Sequence, residues 1–392
     1  MKRNNLNVLL LGLDRNVPED TNSPSYRRLK SYSEGIASLS FVVFSLAGED
    51  FKKSSDKAFY VYPTNSKSRL HYFRDAYILC RGIIEGERKI DMVASQDPFA
   101  TGLVAYLVKR RYGMPWACHV HADYLENRYW LSETVFNRIQ NILGKFLIKR
   151  SDGVRAVSSL IKKNLIDMGM DKDRVFYATP AVETDLIPKD APDKPLLKKR
   201  YGLEGRRVLL FVGRIDKQKN LPMLLAAFRS IKKRHGDVIL LCVGGGKMVN
   251  EMRDMAADLG VEGSVRFTGP LRFDDLIDYY SLSDIFVLPS NYEGTAKVLK
   301  EAALASLPLV STMMSGADDV IVDGRSGFLV PVGDAEAFSE RVMELLENPE
   351  MAEKMGRAVK ERVLREFSYE KSIIDIVTTW ERIYNLSKHS SV

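Results

Sequence analysis

The chain of 392 residues is 45% hydrophobic and 28% charged, a balance typical of folded globular proteins rather than disordered or fibrous ones. This length exceeds one ordinary hydrophobic core and predicts two domains. The three cysteines, Cys80, Cys118 and Cys242, lie far apart, which excludes a disulfide framework or a cysteine zinc site and favours a cytoplasmic location. No apolar run in the sequence is long enough to cross a bilayer.

The net charge of +7 is unevenly distributed. Residues 1–190 contain 29 Lys and Arg against 22 Asp and Glu, whereas residues 191–392 contain 29 of each. A basic first half suits an anionic membrane surface, a lipid head group or an acidic acceptor. Scattered surface lysines that keep the protein soluble would give the same excess, so both interpretations stay open. Nucleic acid is disfavoured because no basic run interleaved with aromatic residues forms a recognisable binding module.

Short apolar runs alternate with longer amphipathic stretches, a pattern that predicts βα units and parallel sheets covered by helices. In the first half, strands are predicted at residues 7–13, 40–45, 92–95 and 116–120, with a helix over 101–112. In the second half, strands are predicted at residues 207–212, 238–243, 264–267, 285–288 and 309–311, with a helix over 221–233. The segment Pro188–Pro195 has three prolines and four charges and is the best interdomain linker.

Candidate ligand-binding residues follow the strand that ends at Leu288. Glu293 and Gly294 lie in a strand-to-helix turn, and the open N–H groups of such a helix bind phosphate. Glu293 would accept hydrogen bonds from neutral hydroxyls beside the phosphates, and Glu301, two turns further on, would reach a different hydroxyl pair. This arrangement suits a molecule with a sugar at each end of a diphosphate. Ordinary surface glutamates of a helix are the alternative.

A basic motif, Gly213–Asn220, follows another strand at the same edge of the predicted sheet. Arg214 offers a bidentate donor and Lys219 a point charge, which together suit a pyrophosphate. These cations would stabilise the charge on a departing diphosphate without a metal. Alone the motif is also compatible with a solvated basic turn, but together with the two glutamates it favours binding.

Taken in order, these motifs resemble those of the retaining glycosyltransferases of family 4, also called glycosyl transferases group 1, which have the GT-B fold. The resemblance covers the whole C-terminal half. It is carried by Phe211–Arg214, Lys219-Asn220, Val243–Gly246, Val265–Gly269, Asp284–Pro289, the pair Glu293 and Glu301, and Asp323–Val330.

The resemblance implies an α/β protein of two Rossmann-like domains that face a central cleft. Residues 1–187 would form an acceptor-side domain, to which a C-terminal helix over 370–392 returns. Residues 196–369 would bind the nucleotide sugar.

The resemblance also implies roles for single residues. Arg214 and Lys219 would hold the donor pyrophosphate, Glu293 would touch the transferred sugar and Glu301 would take the ribose hydroxyls. The remaining donor contacts would come from Gly294, Thr295 and Ala296 at the helix start, from Gly245 near the nucleotide and from Phe267 in the nucleobase pocket. The glycine triplet around Gly245 is equally compatible with a plain turn, and Ala296 replaces a glycine common in the family, which would narrow donor choice.

In the first half, His121 lies six residues after Pro115, where similar proteins place a histidine that contacts the donor sugar. His119 is better explained as a core residue, and Asp123 as an acceptor that orients its neighbours. A metal site of these three residues is disfavoured, because retaining enzymes of this fold do not generally need one. The loop after the first strand departs from the family, since it has Gly12 where a glycine pair is usual.

The segment Tyr124–Arg150 mixes aromatic and basic residues. It suits a helix at an acceptor or membrane surface. A core helix with a solvated basic face is the simpler interpretation. Near the C-terminus, Ser368–Tyr384 predicts an amphipathic helix.

The function expected from the resemblance is retaining transfer of a sugar from a UDP- or GDP-sugar to a glycan or lipid-linked acceptor. The expected setting is cell-surface polysaccharide or glycoconjugate biosynthesis, with no cofactor beyond the donor and possible peripheral association with the inner face of the membrane. A nucleotide-sugar epimerase and a non-catalytic sugar-nucleotide-binding protein are the alternatives. A nicotinamide dehydrogenase is disfavoured because no GxGxxG follows either opening strand.

Overall fold

The computed structural model describes residues 4–182 and 193–389, so most of the expected linker, Pro188–Pro195, lies outside the described residues. The chain forms two compact units. The first comprises residues up to 126, residues 134–180 and those from 370 onwards. The second comprises residues 127–133 and 181–369, so a short segment from within the expected domain 1–187 belongs to the second unit.

Over the described residues, the first unit contains one eight-stranded sheet in the order β3-β4-β2-β1-β5-β6-β7-β8. Every neighbouring pair is parallel except β3 and β4. The strands are Asn7–Gly12 (β1), Ser38–Val43 (β2), Ser54–Asp56 (β3), Phe59–Pro63 (β4), Met92–Ser95 (β5), Trp116–Val120 (β6), Gly153–Ala156 (β7) and Val175–Tyr177 (β8).

The second unit contains a six-stranded sheet in its described part, all parallel, in the order β11-β10-β9-β12-β13-β14. Its strands are Arg207–Val212 (β9), Val238–Val243 (β10), Val265–Gly269 (β11), Ile285–Leu288 (β12), Leu309–Thr312 (β13) and Phe328–Val330 (β14).

Helices connect the strands in both units. In chain order the helices are Asn16–Glu19 (α1), Pro24–Glu34 (α2), Tyr72–Gly82 (α3), Ala100–Tyr112 (α4), Arg128–Glu133 (α5), Val135–Ile148 (α6), Ser159–Asp167 (α7), Lys194–Arg200 (α8), Leu221–Arg234 (α9), Val249–Asp258 (α10), Phe273–Leu282 (α11), Lys297–Leu304 (α12), Ala317–Val320 (α13), Ala335–Glu347 (α14), Pro349–Glu366 (α15) and Tyr369–His389 (α16).

The central strands are buried because helices cover both faces of a parallel sheet, which is why they are nearly continuous apolar runs. Every residue of β2, β10 and β12 is buried. The strands predicted from sequence are confirmed to within two residues at each end. Five strands, β3, β4, β7, β8 and β14, were not predicted.

In each sheet the strand order reverses at the opening strand, β1 or β9. In the first unit β1 pairs with both β2 and β5, and in the second β9 pairs with both β10 and β12. At such a reversal the loops that follow the two strands diverge and leave a crevice, where open α/β sheets bind ligands. Because β9 and β12 are neighbours, the loops that follow them border the crevice of the second sheet.

Helix α16 packs into the first unit, as expected for the C-terminal helix. Trp380 and Ile383 are fully buried in its core. Ser372 Oγ also donates a hydrogen bond of 2.8 Å to the carbonyl oxygen of Thr179. The chain thus returns to its first unit after completing the second.

The interpretation of Tyr124–Arg150 as a core helix with a solvated basic face is wrong for α6. Phe136 and Phe146 are exposed, although Trp130, on α5, is buried. A large apolar side of α6 faces outward, because Asn137, Asn141 and Gly144 occupy most of its packed side, which has large apolar residues, Leu147 and Ile148, only in the last turn.

The three cysteines are buried and free, and burial raises the pKa of each thiol. Among residues 4–182 and 193–389, no helix is both long and apolar enough to cross a membrane.

Candidate functional site

The loops after β9 and β12 meet through an ion pair between Lys219 and Glu293. The ammonium group of Lys219 contacts Glu293 Oε1, and each residue is only 8% exposed. The two residues are 74 positions apart in the chain, and the adjacency of β9 and β12 brings them together. The structure thus joins the basic and acidic motifs that the sequence pointed to.

Two further side chains complete the surroundings of Glu293. Ser290 Oγ donates to Glu293 Oε1 at 2.8 Å, and Gln218 Nε2 approaches Glu293 Oε2 at 3.3 Å. Gln218 Nε2 also donates to the carbonyl oxygen of Tyr292 at 3.0 Å. Three donors therefore orient one buried carboxylate, and part of its acceptor capacity remains available for a hydroxyl.

Asn291, in the loop after β12, forms hydrogen bonds to the backbone of the loop after β9. Its N–H donates to the carbonyl of Gln218 at 2.8 Å, and its Nδ2 donates to that of Lys217 at 2.9 Å. Asn220, which has a positive φ of 49°, donates to Asn291 Oδ1 at 3.0 Å. Sequence reasoning missed Gln218, Ser290 and Asn291, because nothing local marks a residue whose partners lie in another loop.

Arg214 reaches this cluster indirectly. Its side chain is 73% exposed, and Nη2 donates to Gln218 Oε1 at 3.0 Å. Arg214 Nη2 also lies 3.5 Å from Asp216 Oδ2, and an exposed ion pair of this kind contributes little to stability. Arg214 is thus a cation held at the rim of the Lys219–Glu293 pair and open to solvent.

Glu301 forms a separate cluster on α12. Tyr280 donates its hydroxyl to Glu301 Oε2 at 2.9 Å, and Lys297 lies 3.2 Å from Oε1. Burial, with the nearby Glu301 charge, raises the pKa of Tyr280 well above its usual value. Tyr280 was not predicted as a site residue, and it leaves Glu301 oriented and 7% exposed.

Helix α12 begins at Lys297, so its open N–H groups come three residues after Gly294. Ala296 caps the helix in the left-handed conformation with φ of 43° and is 3% exposed. This conformation is unusual for a residue with a side chain. Thr295, between Gly294 and Ala296, is half-buried.

The glycine triplet after β10 serves mainly as a close-packing element. A Cβ on Gly244 would lie 1.9 Å from the carbonyl oxygen of Gly213, and one on Gly246 would lie 2.1 Å from that of Ile215. Gly245 meets only Pro270, at 3.4 Å. Gly244 and Gly246 thus allow the β10 loop to pack against the β9 loop, which leaves Gly245 as the position without a packing demand.

Phe267 lines a cavity of about 570 Å³ beside β11. Thr268, Leu271, Arg253 and Tyr279 are among its other lining residues. The Arg253 guanidinium lies 5.8 Å from the Phe267 ring centroid. The cavity is lined by aromatic, aliphatic and charged side chains, with Glu262 and Arg266 among the charged ones.

In the first unit, His121 follows β6 and is exposed, and none of the hydrogen bonds among the described residues involves its imidazole. His119, two residues earlier, is 2% exposed. Trp380 Nε1 donates to His119 Nε2 at 3.0 Å, so the proton of the neutral ring lies on Nδ1. Arg155 Nη1 lies 3.4 Å from Nδ1 and is also a donor, so this contact is not a hydrogen bond. Burial, with the positive charge of Arg155, holds the pKa of His119 well below its usual value.

This arrangement bears on the disfavoured metal site of His119, His121 and Asp123. The lone pair of His119 Nε2 accepts the hydrogen bond from Trp380, and Nδ1 carries the ring proton, so neither nitrogen presents a lone pair to a metal. Asp123 Oδ1 accepts from Asn164 at 3.1 Å. Within the described ranges, no group of three His, Cys, Asp or Glu residues could hold a metal ion.

Comparison with known proteins gives two family matches that together cover most of the chain. The model of glycosyl transferases group 1 matches residues 193–362, and that of glycosyltransferase family 4 matches residues 36–186.

A similar protein is a GDP-mannose-dependent alpha-(1-6)-phosphatidylinositol monomannoside mannosyltransferase from Mycolicibacterium smegmatis. It is 31% identical over 189 residues, which are 46% of this chain and 50% of that protein. Matches to its counterparts from Mycobacterium tuberculosis span 59% of their length. The chain therefore matches only about half the length of these relatives.

Solved structures match over nearly the whole chain. Sucrose-phosphate synthase from Thermosynechococcus elongatus has a TM-score of 0.79 at 16% identity, covering 97% of this chain and 99% of its own. Anabaena HepE in complex with UDP-glucose has a TM-score of 0.75 at 16% identity, covering 96% and 99%. At such identities the likeness shows a common fold.

Proposed function

The chain belongs to the family-4 glycosyltransferases and has the GT-B fold, and on that premise we propose that it transfers a sugar from a nucleotide diphosphate sugar, with retention at the anomeric carbon. The acceptor is a hydroxyl of a glycan or of a lipid-linked molecule. Residues 196–369 bind the donor in this proposal, and residues 1–187 with 370–392 bind the acceptor.

The observation that carries the proposal is the Lys219–Glu293 pair with Gln218 and Ser290 around it. A buried cation and a buried carboxylate at a sheet reversal offer both groups that a sugar diphosphate needs. The ammonium group of Lys219 has three donors, of which Glu293 takes one. The others can reach a phosphate oxygen, while Glu293 accepts from a sugar hydroxyl.

The other proposed contacts with the nucleotide sugar are assigned from where each residue lies around the Lys219–Glu293 pair. Arg214 binds the pyrophosphate from the rim, and Gly294, Thr295 and Ala296 contact it where they lead into the open N–H groups at the start of α12. Glu301, oriented by Tyr280, takes the ribose hydroxyls. Phe267 and Gly245 bound the space for the nucleobase in this proposal, and Phe267 lines a cavity of about 570 Å³.

The transfer step is a same-face displacement. The bond from the anomeric carbon to the diphosphate oxygen breaks, and its electron pair leaves with the diphosphate. The acceptor hydroxyl oxygen bonds to the same face of that carbon and gives its proton to the leaving phosphate. Arg214 and Lys219 stabilise the charge that grows on the diphosphate, and His121, exposed after β6, contacts the donor sugar.

The proposal includes both UDP-sugars and GDP-sugars as donors, and it does not specify the sugar. The similar mannosyltransferase from Mycolicibacterium smegmatis is named as GDP-mannose-dependent, whereas the structure of HepE contains UDP-glucose. A lipid-linked acceptor in polysaccharide or glycoconjugate synthesis would bring the enzyme to the inner face of a membrane. The positive excess of residues 1–190 supports such peripheral association.

A donor panel tests the proposal. We expect UDP or GDP, at about a hundred times its Kd, to stabilise the protein by about 2.7 kcal/mol, a rise in Tm of several degrees. Arg214→Ala should shrink that rise, whereas Arg229→Ala, an exposed arginine on α9, should keep it. Product analysis by NMR with the stabilising donor and a panel of acceptors should then show retained anomeric configuration.

Three results would contradict the proposal. The first is that neither nucleotide changes Tm, and the second is an inverted product. The third is an epimerised free sugar from donor alone, which would instead indicate the epimerase alternative.

A further inference from the structure

Helix α6 of the first unit exposes a row of large apolar side chains. Their positions, i, i+1, i+4, i+7 and i+11, form one stripe along the helix. The α6 face consists of Val135, Phe136, Ile139, Ile142 and Phe146, which are between 43% and 73% exposed. Single exposed apolar residues are ordinary on a protein surface, but a contiguous row of five marks an interaction site.

The opposite side of α6 explains why this row cannot turn inward. Asn137, Asn141 and Gly144 are buried there. A Cβ on Gly144 would lie 2.7 Å from the Phe99 ring, so this position must face the core. Asn141 exchanges hydrogen bonds of 2.9 and 3.0 Å with Glu126, which fixes the same register.

The charge around the α6 face is mostly positive, although Glu126 and Asp152 lie beside it. Residues 101–122 and 134–150 contain seven Lys and Arg and no Asp or Glu. Two of the seven, Lys109 and Lys145, pair with Asp152 and Glu126. The surface therefore combines an apolar row with a positive field.

The neighbouring helix α4 extends this surface. Its Tyr106 packs edge-to-face on Phe146, with ring centroids 6.0 Å apart. Leu107 is 42% exposed, and Arg110 and Arg111 are exposed in the last turn. The Arg150 guanidinium lies 3.4 Å from the Phe146 ring centroid, at the end of the row.

We propose that the α6 face docks on an anionic lipid bilayer. Apolar side chains enter the boundary between head groups and acyl chains, and the flanking cations contact the head groups. A second copy of this chain fits less well, because a symmetric contact would oppose two surfaces of the same positive charge. The inference rests on the peripheral association proposed above and identifies the surface responsible.

Vesicle co-sedimentation of the full chain tests this surface. Vesicles of phosphatidylcholine would be compared with vesicles in which phosphatidylglycerol replaces about a third of it. We expect binding to the anionic vesicles that weakens as salt screens the head groups. The double variant Ile139→Gln/Ile142→Gln should bind more than about tenfold more weakly, given the apolar area withheld from lipid.

The charged part of the surface needs its own variant. Lys149→Gln should weaken binding to anionic vesicles by about fivefold, near the value for one basic residue at such a surface. The matched control is Leu196→Gln on α8 of the second unit, which is 64% exposed and should bind as the wild type does.

Several outcomes would overturn the proposal. These are wild-type protein that stays in solution with anionic vesicles at low salt, or an isoleucine double variant that binds normally. A wild-type dimer that the double variant converts to monomer, without vesicle binding, would assign the α6 face to a second copy. The nucleotide-induced rise in Tm should persist in the double variant, so failure here is distinguishable from failure of the proposed donor site.

Discussion

At the carboxyl edge of the second sheet, Gln218 and Lys219 both donate hydrogen bonds to Glu293. At the edge of the first sheet, in contrast, none of the hydrogen bonds among the described residues involves the imidazole of His121. The buried polar residues behind His121 are also incompletely paired. Arg155 donates to the carbonyl of Ala178, but its Nη2 has no partner in the described part of the chain, and burial lowers its pKa to about 10.

This difference separates two kinds of site residue. In the second unit, each side chain orients the next, so a substitution disturbs both ligand binding and the two loops. In the first unit, the residue that faces solvent and the residues that pack beneath it are different, so binding and stability should respond to different substitutions. Three predictions test this contrast.

The largest effect is expected from Lys219→Ala. It removes a cation from the proposed diphosphate site and leaves Glu293 buried without its partner. We expect transfer to fall by about 100-fold or more and the free energy of unfolding to fall by about 3 kcal/mol. Steady-state kinetics and urea unfolding measure the two effects.

Lys217→Ala is the matched control for Lys219→Ala, since Lys217 is exposed two residues away. It should change both quantities little. If Lys219→Ala turned over at the wild-type rate, the second unit's network would not be the donor site.

A smaller effect is expected from Gln218→Ala. Gln218 connects Arg214 to Glu293 through hydrogen bonds worth about 1 kcal/mol each. We therefore expect kcat/KM to fall about tenfold while unfolding changes by only about 1 kcal/mol. Gln218→Glu keeps the size but opposes a second carboxylate to Glu293, so it should be at least as damaging; wild-type kinetics in both variants would argue against a positioning role.

The smallest effect is expected from pH acting on His119. Its pKa is depressed in the folded protein, so the unfolded chain binds more protons as pH falls below about 6.5. The stability that His119 contributes is therefore present above that pH and is lost below it, by up to about 1.4 kcal/mol per pH unit.

Urea unfolding between pH 7.5 and 5.5 checks this, with His119→Gln as the comparison. The variant should lose less stability on acidification than the wild type. Equal slopes would show that His119 titrates normally, and that the core beneath His121 does not hold it neutral.

Much of the fold could be predicted from sequence because the information is local. Short apolar runs such as Arg207–Val212 and Val238–Val243 are typical of buried strands in a parallel sheet, and both form such strands. The charged motifs also placed Lys219 and Glu293 at strand ends. In contrast, Tyr280 and Asn291 carry no local signal, since their partners come from other elements.

The outward face of α6 was misjudged for a related reason. An amphipathic pattern shows that one side of a helix is apolar, but not which side is packed. Gly144 and Asn141 fixed the packed side through contacts with Phe99 and Glu126, which no helical periodicity can foresee.

Residue type and short spacing encode the alternation of strands and helices, the family and the identity of the charged groups at the second sheet's edge, so these could be read from the sequence. The tertiary structure alone decided that β9 and β12 are neighbours, and so that a lysine and a glutamate 74 residues apart share one buried contact. Strand order depends on how each crossover connection packs across the sheet, and that choice is made by the whole core rather than by any one segment.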